Sequence, residues 1–123
     1  MSKPDLVAIV DDDESVRESL PDLLKFHGYQ TIAFAGAEAF LAWPDLQQTR
    51  CLILDIAMPG MTGPELQQAL LERRLSIPIV FITATTSEAD RARVLQRGAV
   101  ACLIKPFDEE ALIGAVQAAF ARG

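Results

Sequence analysis

"LVAIVDDDES", residues 6–15, places five apolar residues directly before four consecutive carboxylates. The apolar run has the length and the unbroken character of a strand that is buried on both faces. Asp13 is well placed to cap a following helix, and Glu14 would lie in the first turn of that helix. Capping does not explain why Asp11 and Asp12 stand together at a strand tip, where their charges repel each other. The ends of the other strands therefore decide what this edge of the fold does.

The rest of the chain repeats the same alternation of apolar runs and helix-period segments. Four further apolar runs each precede a segment with helical periodicity: 31–35, 51–54, 77–82 and 101–104. Strands that alternate with helices predict a parallel sheet covered by helices on both faces, which is a doubly wound α/β fold. Pro21 falls inside the first predicted helix, and we expect a kink there without a break in the architecture.

Composition limits the class of protein. The chain has 123 residues, half of them hydrophobic, which predicts one compact domain over residues 1–123. No apolar run approaches the roughly 20 residues that span a bilayer, and the start "MSKPDL" lacks a signal peptide's apolar segment, so we expect a cytoplasmic protein without membrane contact. The net charge of −6 argues against direct nucleic-acid binding. Cys51 and Cys102 have no metal-ligand spacing and are expected to be buried free thiols.

Polar side chains stand at four of the five predicted strand ends. Asp11 and Asp12 follow the first strand, Asp55 the third, Thr83 the fourth and Lys105 the fifth. In open parallel sheets, ligands bind beyond the carboxyl ends of the strands, where the strand order reverses. Each residue alone has a structural explanation, such as a turn-forming aspartate, a satisfied hydroxyl or a solvated lysine. All of these explanations holding together at one edge is improbable.

The chemistry of this set favours phosphoryl transfer. Clustered carboxylates cannot all stay ionised without a compensating cation. A ligand set made only of oxygens suits Mg²⁺, which takes one or two carboxylates together with a phosphate oxygen. A neighbouring lysine supplies a point charge for phosphate. The sequence therefore predicts a Mg²⁺-dependent phosphoryl-transfer site at this edge.

In order and spacing, four motifs resemble the receiver domain of bacterial two-component response regulators. They are "DD" after the first strand, "LILDIAMPGMTG" around Asp55, "ITA" at the end of the fourth strand and "KPF" after the fifth. The resemblance covers essentially the whole chain. It implies the flavodoxin-like receiver fold, with five parallel strands in the order 2-1-3-4-5 and five helices. In that order Asp12 and Asp55 would face each other at the reversal between the first and third strands.

The resemblance also implies a metal site and a phosphoacceptor. Asp55 would accept a phosphoryl group from a phosphohistidine on a sensor histidine kinase or a phosphotransfer protein. Mg²⁺ would be held by Asp12, by Asp11 largely through water, by Asp55, and by the backbone carbonyl of Ala57.

The phosphoryl-binding residues and the switch follow from the same resemblance. Thr83, Ala84 and Lys105 would bind the phosphoryl group, with Thr83 as the switch and a cis peptide bond between Lys105 and Pro106. The chain departs from the family at Cys102, where an aromatic residue usually forms the second half of the relay. We therefore expect phosphorylation to move the 84–90 loop and the fourth helix without an aromatic rotamer change.

Three functions are compatible with these residues. The leading one is a phosphorylation-activated switch that catalyses only its own phosphotransfer and dephosphorylation. It would change the surface of the fourth helix, fifth strand and fifth helix to control dimerisation or an output domain, such as a C-terminal DNA-binding domain outside this chain. The second is a Mg²⁺-dependent phosphohydrolase with Asp55 as nucleophile, although Ala57 stands where a second acid would serve. The third is a phosphorylation-independent binding module of the same fold.

Overall fold

The computed structural model describes residues 5–85 and 87–122. Within this part of the chain, five strands form one parallel sheet: β1 (Leu6–Val10), β2 (Gln30–Phe34), β3 (Cys51–Asp55), β4 (Ile79–Thr83) and β5 (Ala101–Ile104). Five α-helices accompany them: α1 (Glu14–Phe26), α2 (Ala37–Ala42), α3 (Gly63–Glu72), α4 (Glu88–Gln96) and α5 (Glu109–Arg122). The strand order is β2-β1-β3-β4-β5, which confirms the predicted doubly wound fold.

The two faces of the sheet carry separate hydrophobic layers. Successive residues of a strand point to opposite faces of the sheet. Because both faces are covered, every residue of the three central strands β1, β3 and β4 is buried. One layer is closed by α2, α3 and α4, with Phe40, Leu66 and Val94 among its buried residues. The other layer is closed by α1 and α5, with Leu24 and Val116. The three central strands therefore need unbroken apolar runs, because helices cover them on both faces, whereas the edge strand β2 is partly exposed.

The bounds of three strands differ from the sequence prediction by one or two residues. β2 spans Gln30–Phe34 rather than 31–35, β3 ends at Asp55 rather than at residue 54, and β4 spans Ile79–Thr83 rather than 77–82. A 3₁₀ turn at Leu46–Gln48 was not predicted, because a single turn is too short to show periodicity. Helix α1 runs unbroken through Pro21, as expected, and a kink at that residue stays a prediction.

The two cysteines are free and buried, as predicted. Cys51 lies on β3 and Cys102 on β5, with β4 between them. Burial raises the pKa of the Cys51 thiol to about 12, so this thiol stays protonated at neutral pH. None of the helices in the described ranges combines the length and the apolar character that crossing a membrane requires.

Candidate functional site

The reversal of strand order brings three carboxylates together at the carboxyl edge of the sheet. β1 and β3 are neighbours, with Val10 paired to Leu54, so the residues that follow or end these strands lie side by side. One carboxylate oxygen from each of Asp11, Asp12 and Asp55 lies within 4.8 Å of the others. Asp11 is buried and Asp55 is only 6% exposed, whereas Asp12 faces solvent. The donor set is made of oxygens alone and suits a hard divalent cation.

Asp11 accepts three hydrogen bonds, and its backbone N–H donates a further one to the Phe34 carbonyl at 3.2 Å. Its Oδ1 accepts from the backbone N–H of Asp13 at 2.9 Å, and its Oδ2 accepts from Lys105 Nζ at 2.8 Å. Its backbone carbonyl accepts from Arg17 Nη1 at 3.0 Å. Lys105 Nζ also lies 3.8 Å from Asp55 Oδ2, so one ammonium is shared by two carboxylates.

The charges in this pocket are incompletely balanced. Burial, and then the charge of Asp11, raise the pKa of Asp55 to about 6, although Lys105 and the Ala57 backbone N–H act in the opposite direction. Burial would lower the pKa of Lys105, but the hydrogen bond to Asp11 and the charges of both aspartates outweigh it and raise that pKa. One lysine therefore does not neutralise the carboxylates, and a further cation would be stabilised here.

The loop after Asp55 is anchored by a glycine that the sequence analysis did not single out. The N–H of Gly63 donates to the carbonyl of Ile56 at 2.9 Å. A Cβ at Gly63 would lie 2.2 Å from the Asp55 carbonyl oxygen and 3.0 Å from the ring of Phe81, which leaves no room for a side chain. In the sequence Gly63 stands out only as the residue after Thr62, which caps α3, and that position does not indicate the close approach to Asp55.

Thr83 begins a series of hydrogen bonds that ends at α4. Asp55 pairs with Ile82, so buried Thr83 lies one residue further along the neighbouring strand. Its Oγ1 accepts from the N–H of Thr85 at 3.0 Å, and Thr85 Oγ1 accepts from the N–H of Ser87 at 3.2 Å. Ser87 Oγ accepts from the N–H of Asp90 at 3.3 Å and so caps α4. We call Thr83, Thr85 and Ser87 the hydroxyl ladder.

Three further residues of the predicted set lie on β5 or directly after it: Cys102, Lys105 and Pro106. The N–H of Lys105 donates to the carbonyl of Thr83 at 2.7 Å, and the Lys105–Pro106 peptide bond is cis. Cys102 is buried opposite Phe81 on β4. Burial raises the pKa of the Cys102 thiol, while the Arg91 guanidinium beside it acts to lower that pKa. Side chains from α4 and β5 therefore meet at the position where the family usually has an aromatic ring.

Ala57 and Ala84 complete the predicted set. Both are exposed; Ala57 lies two residues after Asp55 and Ala84 directly follows Thr83. Neither side chain contributes a polar atom, so any contact with a bound group would come from the backbone.

The sequence matches the family described as the response regulator receiver domain over residues 7–117. The chain belongs to this family. It is 39% identical over 119 residues to nodulation protein W of Bradyrhizobium diazoefficiens, covering 95% of this chain and 52% of that protein. It is 38% identical over 114 residues to the response regulator protein TodT of Pseudomonas putida, covering 93% of this chain and 50% of that protein. The chain thus spans about half the length of these curated relatives.

Solved receiver structures match the fold closely. FixJ-N is 35% identical with a TM-score of 0.89, and the match covers 100% of this chain and 98% of that chain. The response regulator StyR is 43% identical with a TM-score of 0.88, and the match covers 98% of this chain and 61% of that chain. Receiver domains are signalling domains of two-component systems rather than metabolic enzymes. The relatives of this receiver domain include transcriptional regulatory proteins such as FixJ of Rhizobium meliloti.

Proposed function

We propose that this receiver domain, taken to extend over residues 1–123, is a switch that is activated by phosphorylation of Asp55. The observation that carries the proposal is the position of the Asp55 carboxylate. One of its oxygens lies within 4.8 Å of an oxygen of Asp11 and an oxygen of Asp12, and its Oδ2 lies 3.8 Å from Lys105 Nζ. A nucleophilic carboxylate, a cation-binding pair and a fixed ammonium therefore meet at one point.

The reaction transfers a phosphoryl group from a partner histidine kinase or phosphotransfer protein. An Asp55 oxygen forms a bond to phosphorus as the bond between phosphorus and the partner's histidine nitrogen breaks, and the imidazole leaves. The product is an acyl phosphate. Lys105 stabilises the charge on the phosphoryl oxygens, and the backbone around Ala84 offers further hydrogen bonds. Such catalysis depends on positioning and electrostatics.

The carboxylates suit Mg²⁺ as the cofactor. Asp12 and Asp55 would hold the ion directly, Asp11 through water because both of its oxygens already accept hydrogen bonds, and Ala57 through its backbone carbonyl. Bound Mg²⁺ would supply positive charge for the phosphoryl oxygens. The raised pKa of Asp55, caused by burial and by the charge of Asp11, supports the need for this cation.

Phosphorylation would be read out through Thr83. Its hydroxyl can donate to a phosphoryl oxygen, and this would disturb the hydroxyl ladder that leads to α4. The affected surface comprises α4, β5 and α5, and it would control dimerisation or an output domain. The curated relatives are about twice as long as this chain, which supports a C-terminal output domain, such as a DNA-binding domain, in a longer protein.

Intact-mass measurement after incubation with acetyl phosphate and Mg²⁺ tests the proposal. The chain should gain the mass of one phosphoryl group, and Asp55→Asn should gain none. Asp45→Asn, at an exposed position away from the pocket, is the matched control and should label normally. Labelling of Asp55→Asn, or sustained turnover of a phosphate ester as in a phosphohydrolase, would contradict the proposal. A chain that does not label at all would point to the phosphorylation-independent binding module.

A further inference from the structure

The carboxylate of Asp12 has no support from neighbouring side chains. Over the described residues it makes no hydrogen bond or ion pair, and the side chain is exposed. Asp11, in contrast, has a hydrogen bond on each carboxylate oxygen. The position of the Asp12 carboxylate is therefore constrained only through the backbone, where the peptide unit that joins Asp11 to Asp12 helps to set the direction of the Asp12 Cα–Cβ bond.

Arg17 holds this peptide unit from α1. Its Nη1 donates to the Asp11 carbonyl oxygen at 3.0 Å, and that oxygen belongs to the peptide before Asp12. Arg17 itself is held in the first turn of α1, where its backbone N–H donates to the Asp13 carbonyl at 3.2 Å. On the far side of Asp12, the Asp13 N–H is held by Asp11 Oδ1 at 2.9 Å. The Asp11 N–H is held in turn by the Phe34 carbonyl at 3.2 Å. The backbone on both sides of Asp12 is thus tied down, and Arg17 provides the hydrogen bond to the carbonyl of the Asp11–Asp12 peptide itself.

We infer that Arg17 is a positioning residue, which orients the Asp11–Asp12 peptide so that the Asp12 carboxylate faces Asp55. The inference rests on the proposed Mg²⁺ site and adds a residue to it. Groups that orient metal ligands without touching the metal commonly alter affinity 10–100-fold when they are removed. The charge of Arg17 has the opposite influence, because a cation beside the carboxylates opposes the binding of a second cation. Positioning and charge therefore predict changes of opposite sign when the guanidinium is removed.

Calorimetric Mg²⁺ titration of the metal-free chain separates these two roles. Arg17→Met should raise the Kd for Mg²⁺ about tenfold, and Arg17→Lys, which keeps a donor and the charge, should recover most of the affinity. Arg50→Met is the matched control. It removes the same charge from an arginine at the edge of the sheet opposite the site, where Arg50 Nη1 lies 3.2 Å from Asp5 Oδ1. This variant should leave the Kd for Mg²⁺ unchanged. An Arg17→Met variant that binds Mg²⁺ as tightly as the parent, or more tightly, would overturn the inference.

Amide hydrogen exchange in the metal-free protein gives a second readout. Exchange of the Asp13 N–H should accelerate at least severalfold in Arg17→Met but not in Arg50→Met, because a loosened peptide releases the bond to Asp11 Oδ1. Unchanged exchange would count against the inference.

If Arg17→Met does not fold, Arg17→Gln, which keeps an N–H donor without the charge, is titrated in its place. It should bind Mg²⁺ several-fold more weakly than the parent, and tighter binding would overturn the inference. A parent chain that binds no Mg²⁺ would refute the metal site itself, while the exchange measurement would still test Arg17.

Discussion

Asp55 shows how burial and charge act together on one residue. Its carboxylate is almost covered, and the nearest groups of like and opposite charge are Asp11 and Lys105. The pKa of Asp55 rises from its ordinary 3.8 to about 6, chiefly through burial and then through the charge of Asp11. In the metal-free protein, the ionised form of this residue therefore opposes folding.

We expect Asp55→Asn to stabilise the metal-free chain in a pH-dependent way. Because the folded pKa is raised, the folded state binds more protons than the unfolded state between pH 3.8 and about 6, and stability falls as the pH rises through this window. Because asparagine does not ionise, the variant does not lose stability in this way as the pH rises. Its advantage in free energy of unfolding should grow across the window to about 1–2 kcal/mol, less than the full shift implies because water screens the pocket. Urea unfolding in the presence of a chelator measures it, and an advantage that does not change with pH would contradict the prediction.

Gly63 constrains the backbone of the same aspartate. Gly63→Ala would place a Cβ 2.2 Å from the Asp55 carbonyl oxygen, so the backbone of the acceptor loop must move. We expect a loss of about 1–3 kcal/mol in the free energy of unfolding and slower labelling by acetyl phosphate. Gly114→Ala is the matched control, because nothing lies within 4 Å of its Cβ position in α5 and alanine favours helix. Equal stability of Gly63→Ala and the parent would show that the loop relaxes freely.

Helix α4 is the helix best placed to move. Val94 is its only buried residue, and its first turn is held by the Ser87 cap at the end of the hydroxyl ladder. Gln67 of α3 adds one tie, donating from Nε2 to the Val94 carbonyl at 3.1 Å. An element with few buried contacts opens at low free energy, which suits a helix that responds to a neighbouring site.

We expect Thr85→Val to uncouple α4 from Asp55. Valine keeps the shape of threonine but cannot accept the Ser87 N–H, so the hydroxyl ladder is interrupted. Thr85→Val should still be labelled by acetyl phosphate, while the phosphorylation-dependent change in hydrogen exchange of α4 should shrink severalfold. Thr49→Val is the control, because the hydroxyl of Thr49 is buried without a hydrogen-bond partner in the described structure. A full α4 response in labelled Thr85→Val would show that the coupling runs elsewhere.

The whole molecule is electrically polarised by its topology. Every helix begins near the carboxyl edge of the sheet and ends at the opposite edge, as the parallel connections require. Acidic residues occupy the first turns of the helices, and basic residues lie in or just after the last turns of α1, α3, α4 and α5. This arrangement complements the helix dipoles. It also surrounds the proposed cation site with negative charge.

This polarity predicts a salt-dependent affinity for Mg²⁺. Glu109→Gln with Glu110→Gln removes two charges from the first turn of α5, at the edge that carries the site. We expect weaker Mg²⁺ binding at low salt and a smaller difference at about 0.15 M salt, where the Debye length falls to about 8 Å. Glu72→Gln, at the opposite end of α3, is the control and should change little. A difference that persists unchanged at high salt would indicate a direct structural effect of the two glutamates.

The sequence by itself determined the sheet and the gathering of Asp11, Asp12, Asp55 and Lys105. Unbroken apolar runs are required only of strands with helices on both faces, and the ends of parallel strands must meet at one edge. The motifs then indicated the family, because their order and spacing match that edge.

Only the tertiary structure decided how the site is supported. Arg17 on the Asp11 carbonyl, Gly63 against the Asp55 carbonyl and Arg91 beside Cys102 are contacts made to backbone or across elements. The hydroxyl ladder is local in sequence, but it depends on the path of the loop after β4. Side-chain periodicity records which face of an element is buried, whereas a backbone carbonyl is present at every residue. The sequence pattern therefore cannot indicate which carbonyl receives a donor, and the packed chain alone makes that choice.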